Sequence, residues 1–112
     1  MVVQINTGNS IDGSEEVTRR VEAIVAAALA RFGSRIRRVK VHLSDENGPK
    51  ARGDDKRCVM EARPAGLKPV AVSHVAATVD RAIDGAVERL VRLLEGTFGR
   101  LDGPRRTISF AD

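Results

Sequence analysis

Residues 38–43 alternate without a break: Val39, Val41 and Leu43 fall on one side of an extended chain, and Arg38, Lys40 and His42 on the other. Successive side chains of a strand point to opposite faces, so this segment calls for a sheet with one face covered and one open to water. Two stripes of helical period supply the cover. In the first, Val17, Val21, Ile24, Ala28 and Phe32 recur, joined by Val25 and Leu29; the helix starts near Ser14, with Glu15 and Glu16 in its first turn, and Gly33 is its cap. In the second, starting near Thr78, Val79, Ile83, Val87, Leu90 and Leu94 recur, extended by Ala86, Val91, Phe98 and Leu101. Gly85 and Gly96 each cost that helix about 1 kcal/mol relative to Ala, and Gly96 marks a point of fraying or ending.

The remaining segments read as strands and turns. Residues 2–7 form a strand through Val3 and Ile5; Asp45 to Asp54, with Asn47-Gly48-Pro49 and Arg52-Gly53, is a loop. A third strand runs from Lys56 to Arg63 with Cys58, Met60 and Ala62 on one side, and Val70 and Val72 mark a fourth that Pro69 places at an edge or at its own start. The expected fold is therefore α+β: a β-α-β-β-β-α two-layer sandwich, a four-stranded sheet with two helices packed on one face. Strands one and two, joined through a helix, are expected to be parallel and the later ones antiparallel. The open face then carries Arg38, Lys40, His42, Arg57, Glu61 and Arg63. One domain is expected over 1–101, followed by a loose tail over 102–112.

Charge and composition narrow the chemistry. The net charge of +4 permits an anionic partner without requiring one, and Arg far outnumbers Lys, which suits bidentate phosphate contacts. There is no Trp and no Tyr, and the three Phe residues fall on helix faces or in the tail. Sheets that read single-stranded bases by stacking need exposed aromatics, so RNA binding here would act through phosphates and shape. The opening Met1–Asn6 lacks the character of a signal peptide, no stretch reaches the roughly 18 apolar residues of a membrane span, and the lone Cys58 excludes an internal disulfide. A soluble, cytoplasmic protein is expected.

The run Arg31, Arg35, Arg37, Arg38 and Lys40 contains no acid, as phosphate contacts require and as a solvated helix end also shows. Arg89 and Arg92 lie three apart on one helical surface, with Glu88 and Glu95 within reach of Arg92. Cys58 falls on the apolar side of its strand and reads as inert; His42 and His74 do not form a ligand set with it. No nucleophile elbow and no Gly-rich phosphate loop is present. The expectation is no enzyme, no cofactor and no metal.

The order of elements, the opening Ile5-Asn6-Thr7-Gly8-Asn9, and the helix from Ala82-Ile83-Asp84-Gly85 through Arg89-Leu90-Val91-Arg92-Leu93-Leu94 resemble the short ribosome hibernation-promoting factor and ribosome-associated inhibitor family, also called the sigma-54 modulation or S30EA family. The resemblance covers roughly residues 3–101. It implies a monomer that binds the small ribosomal subunit through its ribosomal RNA and obstructs the decoding channel, with neither a membrane nor a small-molecule substrate. Arg89 and Arg92 match basic positions of the family's second helix, and Arg35 a common family arginine. The sequence departs from the family at Glu95-Gly96-Thr97-Phe98, where a lysine-rich helix end is usual, at Asp80, where an aromatic is usual, and along the first helix, where Ala23, Ala26, Ala27 and Ala30 stand for basic residues. Charge, exposure and resemblance together select Arg35, Arg38, Lys40, Arg57, Arg89 and Arg92 as RNA contacts. The rival expectation is a protein-interaction or regulatory domain on the same fold, using the alanine-rich surface.

Overall fold

The computed structural model describes residues 1–8, 15–45 and 56–111, with side chains as far as residue 100. Strand β1 (Val2–Thr7) leads to helix α1 (Glu15–Leu29), which passes through a 3-10 segment (Ala30–Arg35) into β2 (Ile36–Asp45); β3 (Lys56–Pro64), β4 (Val70–Ala76) and helix α2 (Val79–Ala111) follow. The expected β-α-β-β-β-α sandwich is the observed one. The helix start expected at Ser14 and most of the loop from Asp45 to Asp54 lie outside the described residues.

The four strands run in sequence order across one sheet, so β1 and β4 are its edges. Strand β1 lies parallel to β2, because α1 carries the chain back over the sheet between them, and β2–β3 and β3–β4 are antiparallel. Pro69 stands just before β4, where a missing backbone donor costs no ladder bond.

Alternation decides which side chains are covered. Val39, Val41 and Leu43 of β2 and Cys58, Met60 and Ala62 of β3 face the helices and are buried. From above, α1 lowers Val21, Val25 and Leu29 onto them, and α2 lowers Ala82, Ile83, Ala86, Leu90, Leu94 and Phe98. Each fully covered Leu or Ile contributes about 1.5–3 kcal/mol relative to its exposed state.

Three local features depart from the simple pattern. First, α1 ends at Leu29, and the 3-10 segment continues as far as Arg35; Gly33, at φ 56°, supplies the positive φ expected of a terminating glycine, but one turn beyond the α-helix. Second, β2 begins at Ile36 and not near Val39, and its pairing with β3 slips between Ile36 and Arg38. Third, α2 does not end or fray at Gly96. Leu94 and Phe98 are buried on either side of it, and the Thr97 hydroxyl donates to the Leu93 carbonyl at 2.9 Å, so packing outweighs the glycine's conformational cost. The helical backbone continues to Ala111, across the boundary expected at 101–102.

Candidate nucleic-acid interface

The face of the sheet turned away from the helices is built by the complementary half of the alternation. Strand β2 presents Arg38, Lys40 and His42 there, all exposed, and β3 presents Arg57 and Arg63, also exposed, with half-buried Val59 and Glu61 between them. Register brings these residues together. Arg38 lies opposite Arg63, Lys40 opposite Glu61, His42 opposite Val59, and Ser44 opposite Arg57. Strand β1 extends three of these rows with Val2, Gln4 and Asn6. Strand β4 adds Ala71, Ser73 and Val75 beside Glu61, Val59 and Arg57. Of the six residues selected from the sequence, Arg38, Lys40 and Arg57 thus share one surface.

Arg89 and Arg92 occupy the other layer. They are exposed on α2, whose buried side faces the opposite surface of the sheet. Arg92 is tied to Glu88, one turn earlier, by a 2.6 Å contact between side chains that are 74% and 64% exposed. Such a pair is worth about 0–1 kcal/mol, so a phosphate can displace the carboxylate. Arg35 belongs to neither surface. Its guanidinium lies 3.8 Å from the Phe98 ring centroid, and Phe98 in turn meets Phe32 at 5.4 Å and an interplanar angle of 45°. This stacking seals the end of the core, where a cation over an aromatic face contributes roughly 0.5–1 kcal/mol. Arg31, from the same basic run, pairs with Glu95 of α2 at 2.8 Å and lies over Phe32. Arg31 and Arg35 therefore fasten the 3-10 segment to α2.

Arg63 completes the row begun by Arg38. Sequence alternation already put it on this face, although it was not among the selected contacts. Arg37 stood in the basic run read from the sequence but was not selected as a contact. An arginine two residues before Val39, at a position that strict alternation turns toward the core, is the signal of an irregular strand.

The side chains examined for catalysis point elsewhere. Cys58 is fully covered, and burial pushes its thiol from 9.0 up to about 12, which keeps it protonated and unreactive at neutral pH. His74, its register partner on β4, is half-buried between the sheet and Gly85 of α2. No group of three or more His, Cys, Asp or Glu residues among the described residues could hold a metal ion, and no helix among them is long and apolar enough to cross a membrane.

Comparison with known proteins agrees with this architecture. The N-terminal domain of Protein Y from Thermus thermophilus superposes with a TM-score of 0.69 at 25% identity, covering 87% of this chain and 99% of that one. A ribosomal subunit interface protein from Coxiella burnetii shares the fold, with a TM-score of 0.68, 13% identity, and coverage of 88% and 99%. No curated protein matches the chain significantly. The sequence pattern of one family, described as Sigma 54 modulation protein / S30EA ribosomal protein, matches residues 4–101. Fold, layer order and a match over nearly the whole domain lead to one conclusion: the chain belongs to the sigma-54 modulation / S30EA ribosomal protein family.

Proposed function

We propose that this chain is a cytoplasmic, ribosome-associated translation inhibitor of the hibernation kind, which binds small-subunit ribosomal RNA through phosphate contacts and obstructs the decoding channel. The observation that carries the reading is the gathering of Arg38, Lys40 and Arg57, with Arg63, on the uncovered sheet face of a chain of this family. Phosphates are the main target, because none of the three phenylalanines lies on a strand and the chain has no Trp or Tyr to stack on a base. Arg89 and Arg92 add contacts from the helix layer, and Arg35, exposed while stacked on Phe98, adds a further cation apart from both surfaces. The role falls to residues 1–101, acting as a monomer without cofactor or metal. The name of the Coxiella protein, a ribosomal subunit interface protein, agrees with it.

Co-sedimentation with isolated small subunits tests the reading. The chain is expected to travel with subunits at low salt and to be released as salt rises, and the Arg89→Glu, Arg92→Glu double variant to be released earlier. A chain that stays in the supernatant at low salt overturns the proposal.

One observation favours the second reading, a protein-interaction domain. Ala23, Ala26, Ala27 and Ala30 are all exposed and give α1 and its continuation a smooth surface without long side chains. Pull-down of a single protein, free of RNA and insensitive to nuclease, would favour it.

A further inference from the structure

The open sheet face is not uniform, and its most cationic end is produced by an irregularity. Val39, Val41 and Leu43 point inward, so strict alternation would also turn Arg37 inward. A guanidinium left without a partner in the core costs several kcal/mol. The slip of register between Ile36 and Arg38 prevents this. It leaves Arg37 as the extra residue of β2, sends Ile36 into the core, and leaves Arg37 and Arg38 both exposed. A bulge of this kind re-aims side chains where strict pairing would not. Directly across the ladder from Arg38 stands Arg63, exposed as well.

Like charges directly opposite one another on a sheet are destabilising. Four arginines elsewhere in this protein are relieved by carboxylates. Arg19 meets Glu15, Arg20 meets Asp80, Arg31 meets Glu95 and Arg92 meets Glu88, all at 2.6–2.9 Å. Among the described residues, Arg37, Arg38 and Arg63 have no such carboxylate. The acid nearest in register, Glu61, stands opposite Lys40. Three arginines, neighbours in sequence or in register and without a carboxylate partner among the described residues, make a surface whose charge an external oxyanion would balance.

We infer that Arg37, Arg38 and Arg63 form a phosphate-binding subsite, created by the bulge at the start of β2, that holds a backbone phosphate of the bound nucleic acid. The subsite deepens the ribosomal RNA reading and rests on it for the identity of its ligand. The forked donors of arginine suit paired contacts to phosphate oxygens, and two opposed strands supply them from both sides.

Two measurements test it. In the first, the arginine Nε–H resonances of the unaltered protein are followed by NMR as inorganic phosphate is added at constant ionic strength. Saturable shifts concentrated on Arg37, Arg38 and Arg63 are expected, with Arg19 and Arg100 responding weakly. Equal, non-saturating shifts at all exposed arginines overturn the subsite. In the second, small-subunit binding is measured for Arg37→Gln, Arg63→Gln and, as control, Arg19→Gln. The first two are expected to weaken binding roughly three- to tenfold and the control to leave it unchanged. If all three variants bind like the unaltered chain, the subsite is refuted while the ribosomal reading stands. If the unaltered chain does not bind subunits, the ribosomal reading fails, and the phosphate titration still decides whether the three arginines form an anion site.

Discussion

Replacing Gly85 with Ala sets helix propensity against packing, and the structure decides the sign. In a helix interior Ala is favoured over Gly by about 1 kcal/mol, so from the sequence alone Gly85→Ala stabilises α2. Yet a Cβ at position 85 would lie 2.5 Å from Cγ of His74 and closer still to its Cδ2 and Nε2. Real carbon contacts do not fall below about 3.0 Å. The imidazole cannot swing only its tip aside, because Cγ, the ring atom next to the backbone, is itself inside the limit. Either the ring leaves its half-buried place beside Cys58, or α2 lifts from β4. Such overpacking costs about 1–3 kcal/mol. Set against the propensity gain of about 1 kcal/mol, the expected net loss is up to about 2 kcal/mol, or as much as roughly 8–16 °C in Tm for a domain of this size. Urea unfolding of four proteins measures it: unaltered, Gly85→Ala, His74→Ala and the double variant. With the ring removed, Ala at 85 should become stabilising, so the substitution changes sign between the two backgrounds. A Gly85→Ala protein more stable than the parent, with His74 intact, refutes the reasoning.

Burial holds the Cys58 thiol at about 12 against 9.0 in the unfolded chain, so native protein at pH 8 should resist thiol reagents and react fully only in denaturant. The sign of the pH effect follows: between those two values the unfolded chain has released a proton that the folded chain retains. Stability contributed by this group is therefore complete below pH 9 and declines toward pH 12, by up to about 4 kcal/mol, a component absent from Cys58→Ala in parallel urea titrations. Leu94→Ala removes a side chain with no exposed surface under α2 and should cost about 2–5 kcal/mol by chemical denaturation. Glu88→Gln, which frees Arg92 from an exposed pair, should change stability by less than about 1 kcal/mol in the same assay.

Much of the architecture was legible because period alone separates covered from open positions. The alternation of residues 38–43 fixed both faces of β2, and the stripe through Val21, Val25 and Leu29 named the side of α1 that is buried. The end of β2 that matters most was not legible. Alternation carried back from Val39 assigns Arg37 to the core, and only the observed slip against β3 shows how the chain avoids it. Gly85 was a second blind spot: one-dimensional propensity registers a glycine as a cost and cannot show that an imidazole from a strand fills the space it leaves. The candidate interface was half visible. Arg38, Lys40 and Arg57 follow from strand parity, whereas the commitment of Arg35 to the Phe98 ring depends on a contact between segments more than sixty residues apart.

The central claim is that cations on the uncovered sheet face bind nucleic-acid phosphates, and the salt dependence of small-subunit affinity tests it most directly. Each phosphate contact contributes roughly 0.7–0.9 to the slope of log K against log salt. Replacing Arg38, Lys40 and Arg57 together with Gln, a change confined to exposed positions, is predicted to weaken binding and to flatten that slope by about 2–3. An unchanged slope and affinity in the triple variant, beside an unaltered protein that binds, would contradict the account.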